Sequence, residues 1–246
     1  MRILHVMASR ANGGAETYCA DMLQSLKAAG VDQVAVIPRA SIHHDRLAAG
    51  GVRVAPHALD IRFNPRRRRR LAALIHEFKP DLVHCWMRRA ASLLPALPLP
   101  AIGWFGGYYD PAHFRRCSHF VGVTPDVVEH ILAHGIARAK AHHVPTFPAL
   151  EPGPPVDRAS LSTPADAIVL LTLSRLHEKK GLVVLLDAVA ELPRCIAWIA
   201  GDGPLEKDLK ARAAALGAAD RVRFLGWRTD RGARVLARES SDPSMQ

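Results

Sequence analysis

Short apolar runs and longer stretches of helical spacing alternate along the chain. Ile3–Ala8, Gln33–Pro38, Val52–His57, Leu82–Cys85, Pro100–Phe105 and His119–Val123 have the length and the β-branched, aromatic character of strands. Residues 15–29 read as a helix closed by Gly30, a residue that tolerates the left-handed conformation of a helix end. Leu71, Leu74, Ile75 and Phe78 recur at the interval of one helix face, behind a start at Pro65. Thr124 followed by Pro125 marks another helix start, and Gly135 its stop. With His142-His143-Val144-Pro145 this βαβ rhythm completes a first domain, residues 1–145, built on a parallel sheet.

Residues 146–165 carry Pro148, Pro152, Pro154, Pro155 and Pro164 without periodicity, the pattern of a stiff linker. The rhythm resumes over 166–230. Strand Ile168–Leu173 has the continuous apolar character of one buried on both faces. Helix Leu182–Glu191, strand Ile196–Ala200, helix Pro204–Leu216 and strand Val222–Leu225 follow. The last residues, 231–246, are polar and lack a strand pattern. The fold class is α/β, in two Rossmann-like domains of which the second is incomplete.

Composition narrows the function classes. With 246 residues, 49% of them hydrophobic, the chain can bury a core and is not a disordered segment. No apolar run approaches the length of a bilayer span, and Met1-Arg2-Ile3-Leu4 enters a strand instead of a signal peptide. Cys19, Cys85, Cys117 and Cys195 are scattered without a CxxC pair, as in a reduced cytosolic protein. The histidine pairs His43-His44 and His142-His143 lack metal spacing, so no metal site is expected. A formal charge of +10 calls for an anionic neighbour: nucleotide phosphates, lipid headgroups or nucleic acid. Arg66, Arg67, Arg68, Arg69 and Arg70, beside an apolar stripe, would suit an anionic membrane surface or form a solvated helix face. Nucleic acid is disfavoured because no aromatic stacking platform accompanies the charge.

The densest chemistry lies after Leu173. Arg175, Lys179 and Lys180 stand between a parallel strand and a helix, with Gly181 releasing the chain into that helix. Ligands of open α/β sheets bind at this edge, and a helix start favours anions. An Arg forks onto two phosphate oxygens while a Lys adds a point charge, so the turn predicts a diphosphate site; a merely exposed charged turn is the plainer reading. Gly13-Gly14 would let backbone approach a ligand, although the turn lacks the GxGxxG spacing and can be a plain βα turn. Glu16 can serve only the helix dipole. Gly201-Asp202-Gly203-Pro204 is a tight turn whose glycines can serve chain reversal alone.

Ser174-Arg175-Leu176, Lys180-Gly181, Gly201-Asp202-Gly203-Pro204 and Arg221-Val222-Arg223-Phe224-Leu225-Gly226, in this order, resemble the donor half of family 4 (group 1) retaining glycosyltransferases of GT-B architecture. Gly13-Gly14-Ala15-Glu16 and Lys79-Pro80-Asp81-Leu82-Val83-His84 extend the resemblance upstream. It implies transfer of a sugar from a UDP- or GDP-sugar to a saccharide or lipid-linked acceptor, as in envelope polysaccharide or lipopolysaccharide synthesis, in the cytoplasm or on the inner membrane face. Arg175 and Lys180 would neutralise the leaving diphosphate without metal or other cofactor, in agreement with the absence of any Asp-x-Asp. Gly13, Gly14, Ser174, Gly181, Gly201 and Gly203 would meet the donor, in a cleft between the domains. Glu16, His84, Trp104, Gly106, Gly107, His113, Gly226, Trp227 and Arg228 would line that cleft or meet the base.

Two departures qualify this. A histidine that such enzymes often carry near residues 104–107 is replaced by Trp104, Phe105, Gly106 and Gly107, leaving His113 as substitute and the aromatics as a stacking surface for a sugar. After Asp230 the expected Ala-rich helix and Glu-x7-Glu are missing, as if by a frameshift or early stop. Such a donor domain would keep one wall of its crevice and a bare apolar edge on its first strand. A binding-only fragment is therefore the alternative, and a sugar-nucleotide epimerase a more distant one.

Overall fold

A computed structural model describes residues 1–9, 11, 13–57, 66–146 and 156–228, and the chain divides into two compact units, Met1–Ala149 and Leu150–Gln246. The first unit runs β1 (Arg2–Met7), α1 (Gly14–Ala28), β2 (Asp32–Pro38), α2 (His44–Ala49), β3 (Arg53–His57), α3 (Arg67–Phe78), β4 (Leu82–Trp86), α4 (Met87–Leu93), β5 (Ala101–Phe105), β6 (His119–Gly122), α5 (Pro125–Ala133) and β7 (Ala141–His143). Its sheet is parallel throughout, in the order β3-β2-β1-β4-β5-β6-β7. Because side chains alternate along a strand, one residue set feeds each face. Leu4, Val6, Val34 and Val36 meet Leu71, Ile75 and Phe78 of α3 on one side. Met7, Ala35 and Ile37 meet Tyr18 and Leu23 of α1, with Trp86 and Trp104, on the other. Burial on both faces explains why these strands read as unbroken apolar runs.

Helix ends follow local chemistry. Thr124 Oγ1 accepts the Val127 N–H at 3.2 Å to start α5, and Gly135 ends it with φ of 84°. Sequence patterning did not reveal α2 or α4, which have 6 and 7 residues and too few turns to display a period. Packing holds α2 in place: the buried Asp21 carboxylate of α1 accepts from Arg46 at 2.5 Å. All four cysteines are free and buried. No helix among the described residues is long and apolar enough to cross a membrane.

The second unit runs β8 (Ile168–Leu173), α6 (Leu182–Glu191), β9 (Cys195–Ala200), α7 (Glu206–Ala215) and β10 (Val222–Gly226), with a parallel sheet ordered β10-β9-β8. Leu182, Leu186 and Val189 of α6 and Leu209 and Ala213 of α7 close on Ala197 and Ile199. Val156 and Leu161 cover Ile196 and Trp198 on the opposite face. The Trp198 Nε1–H donates to Thr163 Oγ1 at 3.0 Å, and Arg223 donates to the carbonyls of Leu161 and Ser162 at 2.8 and 2.7 Å. Residues 156–165, which read as linker, are thus built into this unit; their few apolar side chains sit between prolines and show no period. Residues 147–155 and the tail 231–246 lie outside the described residues.

One expectation is corrected. Ile168–Leu173 is not buried on both faces, since Ile168 is 54% and Leu173 40% exposed. Among the described residues β8 is an edge strand, paired only with β9. The fully buried strand is β9, all six of whose residues are buried. An apolar run reports what a strand could bury, not what covers it.

The small second core makes a direct prediction. Leu186→Ala, at a fully buried position, is expected to cost about 2–5 kcal/mol. Val184→Ala, at a 71% exposed position of the same helix, should stay within about 0.5 kcal/mol. Urea unfolding followed through Trp198 fluorescence measures both.

Candidate functional site

Three connections meet at the carboxyl edge of the second sheet, and their backbones are bonded to one another. After β8 the chain runs through Ser174, Arg175 and the fully buried Leu176. The Ser174 N–H donates to the Ala200 carbonyl at 3.1 Å and the Leu176 N–H to the Asp202 carbonyl at 2.8 Å. The Leu205 N–H returns to the Leu176 carbonyl at 3.2 Å, and the Gly201 N–H reaches the Gly226 carbonyl at the end of β10 at 2.7 Å. The approach is so close that a Cβ on Gly201 would overlap the Ser174 carbonyl oxygen, and one on Gly203 the Leu176 carbonyl. Both glycines also hold positive φ, 144° and 158°. Their role is therefore backbone contact that fixes the 174–176 turn, which goes beyond chain reversal.

Arg175 and Lys180 stand exposed on this fixed rim, and neither side chain has a hydrogen bond or ion pair among the described residues. Gly181, with φ of 65°, turns the chain into α6. That helix has no side-chain cap and no acidic residue in its first turn, so no side chain satisfies its first N–H groups beside the two cations. The Ser174 hydroxyl is buried without a hydrogen-bond partner among the described residues. Two cations at a helix start can hold a multiply charged anion. Gly226 ends β10 with φ of 62°, and Trp227 beyond it is 49% exposed, followed by Arg228.

In the first unit the neighbours β1 and β4 form the switch point of the sheet. Gly13 precedes α1 and Gly14 begins it. Glu16 turns back so that its Oε2 accepts the Gly13 N–H at 3.1 Å, the one half of a capping box that a glycine N-cap allows, and its carboxylate is committed to the helix start. Arg89 Nη1 donates to the Ala8 carbonyl at 3.2 Å, tying the turn after β1 to α4. Met87, the first residue of α4, has φ of 61°, a conformation uncommon for a residue with a Cβ and enriched at functional sites. Beside it Arg88 is exposed, and its charge is felt at Tyr109 together with that of Glu16. Sequence reasoning missed Arg88 and Arg89; their signal is a pair of arginines directly following a strand end.

Several proposed cleft residues belong to the interior. Trp104 is 4% exposed, its ring lying 5.3 Å from Trp86 and 6.0 Å from Tyr18, so it offers no stacking face to a sugar. Gly106 is small because Trp104 folds over it, whereas Gly107 is unobstructed. His84 packs 4.4 Å from Trp86 and 5.4 Å from His5 within the same layer. Burial lowers the His84 pKa to about 4, and burial, then His84, lowers that of His5, so both imidazoles are neutral at neutral pH. His113 lies 3.5 Å from Ser92 at the end of α4, beside a cavity of about 50 Å³ with Arg115 and Arg116. The exposed aromatic of this edge is Tyr108, whose hydroxyl donates to Asp126. Among the described residues no three or more His, Cys, Asp or Glu side chains are grouped to hold a metal.

Comparison with known proteins gives the same two-part division. The family model described as Glycosyltransferase Family 4 matches residues 12–148, and the one described as Glycosyl transferases group 1 matches residues 155–239, into the tail. The lipopolysaccharide core biosynthesis glycosyltransferase LpsD of Rhizobium meliloti (strain 1021) is 31% identical over 239 residues, 94% of this chain and 67% of that protein. LpsE of the same strain is 32% identical over 238 residues, 94% and 68%. Among solved structures, Anabaena Alr3699/HepE in complex with UDP and glucose superposes with a TM-score of 0.78 at 19% identity, covering 96% of this chain and 72% of that one. The lipopolysaccharide outer core galactosyltransferase WaaB, in its apo form, gives 0.60 at 17% identity, covering 94% and 69%. At such identities these two likenesses are of fold.

Two outcomes test this geometry. Gly201→Ala should destabilise the second unit by roughly 3 kcal/mol or more, because a backbone carbonyl must move. Gly181→Ala, where φ is positive but space is open, should cost roughly 1 kcal/mol; urea unfolding separates the two. For His84, the folded protein resists a proton that the unfolded chain accepts. Its contribution to stability is thus complete above pH 6.5 and lost as pH falls towards about 4. Unfolding at pH 7 and pH 5 is expected to show this loss, reduced in His84→Gln.

Proposed function

We propose that this chain, which belongs to the group 1 glycosyltransferases, moves a sugar from a nucleoside-diphosphate donor to a saccharide of the lipopolysaccharide-core kind. Carrying the proposal is the rim of the second unit, where Arg175 and Lys180 stand unpaired among the described residues beside the open start of α6. Breaking the anomeric C–O bond leaves negative charge on the departing diphosphate. A guanidinium that forks onto two oxygens, an ammonium and uncapped helix amides interact more strongly with that charge than with the intact donor, which lowers the barrier. The clamp formed by Gly201 and Gly203 fixes the turn that carries Arg175, so little reorganisation is needed when the charge appears.

The finer parts of the reading rest on different supports. UDP is the favoured base because the HepE structures hold UDP and UDP-glucose. Fixed cations in place of a divalent ion are favoured by a sequence without Asp-x-Asp. Retention of anomeric configuration comes with the family resemblance alone. Gly13 and Gly14 stay assigned to the donor side, and Trp227 and Arg228 to the base. A peripheral position on the inner membrane face, through the turn Arg66–Arg70, is supported by the exposure of Arg66, Arg68, Arg69 and Arg70.

Arg175→Ala is expected to lower kcat/KM about 10²–10³-fold while leaving unfolding unchanged, since the side chain is exposed. EDTA should leave the rate intact, and NMR of the product should show the donor's anomeric configuration. Calorimetry with UDP and GDP tests the premise: no heat from either at millimolar concentration overturns donor binding.

A further inference from the structure

A second group of cationic side chains lies in the first unit. At the outer edge of its sheet, between β3 and α3, a cavity of about 420 Å³ is lined by Arg39, Pro56, His57, Arg70, Leu74 and Glu77, among others. Arg39 follows β2, His57 ends β3 and Arg70 is on the first turn of α3, so three nitrogen-bearing side chains from three elements meet at the carboxyl end of the cavity. His57 is only 6% exposed, yet neither ring nitrogen has a hydrogen-bond partner among the described residues. Leaving such a group unpaired is costly, and its ring, both nitrogens sealed from solvent, forms part of the cavity wall beside the two arginines.

The helix points the same way. Arginines at 67–70 fill the first turn of α3, where the dipole disfavours cations; the turn holds no acidic residue and no side chain caps it. An anion seated there would be attracted both by the helix dipole and by the arginines. The other end of the cavity differs: Glu77 lies two helical turns on, about 10 Å along the axis, and is paired with Arg53 at 3.4 Å. Leu74 and Pro56 lie between the two ends.

We infer that this cavity binds a phosphoryl group, its oxygens on Arg39 and Arg70 beside the His57 ring and its carrier along Leu74 and Pro56. The inference rests on the first unit alone and holds whether or not the rim of the second unit takes a nucleotide. The carrier can be a soluble phosphosugar or a phosphomonoester lipid headgroup, since both present the same dianion. Unliganded, His57 is kept neutral by burial, then by Arg70, Arg39 and Arg67. A bound dianion favours the imidazolium, so binding should raise the His57 titration midpoint and strengthen as pH falls.

The test follows the His57 ring by NMR in the full chain, titrated with inorganic phosphate and with glucose 6-phosphate. The expected result is saturable movement of the His57 signals and a higher titration midpoint, with affinity reduced about tenfold in Arg39→Gln and in Arg70→Gln. Both arginines are exposed, so neither change removes core packing. Co-sedimentation with phosphatidic acid and phosphatidylcholine vesicles separates the carriers. Retention on phosphatidic acid that Arg39→Gln diminishes identifies a headgroup; binding of the phosphosugar without vesicle retention identifies a soluble one. A His57 signal indifferent to phosphate, or a response equal in wild type and both variants, overturns the inference.

Discussion

The second unit depends on two backbones passing closer than a Cβ would allow. At Gly201 and Gly203 the connection after β9 presses against the carbonyls of Ser174 and Leu176, and four hydrogen bonds join the three strand ends. An exposed turn carrying Arg175 would otherwise sample many conformations, and ordering it during the reaction would subtract from the stabilisation it gives. Here the order is supplied by folding, with Leu176 sunk in the core as an anchor. Rigidity of the turn and openness of the side chains are compatible because the first lives in the backbone and the second in the solvent.

The first unit shows the opposite arrangement, polar groups held where water is absent. His5, His84, Trp86, Trp104 and Tyr18 form one aromatic layer on a face of the sheet, and the Trp86 Nε1–H lies 3.4 Å from His5 Nδ1. The imidazoles act there as neutral planar rings. His84, read as lying close to the carboxyl end of a strand Leu82–Cys85, is instead the middle residue of β4, and its surroundings make it part of the layer.

Much of the fold was legible because parallel strands buried on both faces leave continuous apolar runs, and because Thr124, Gly30 and Gly135 carry helix-end chemistry in single residues. Helices of 6 and 7 residues were not, since tertiary contacts such as Asp21 with Arg46 define them. At the site, Arg175, Lys180 and the glycine turns were legible as motifs, but the reason for Gly201 and Gly203 was not, because it lies in a contact across about 27 residues of sequence. Trp104 and His84 illustrate the converse: their chemistry suggested a ligand, and only packing reveals that their neighbours are one another. The His57 cavity was invisible because Arg39, His57 and Arg70 come from separate elements.

The buried cysteines give the protein an internal clock. Cys19, Cys85 and Cys117 lie in the first unit and Cys195 in the second, all shielded, and burial holds the Cys19 thiol above its ordinary pKa. Reagents can modify them only when their surroundings open, so the rate at each sulfur counts how often its unit breathes. A single chain thus records the opening of its two halves separately, without any introduced label.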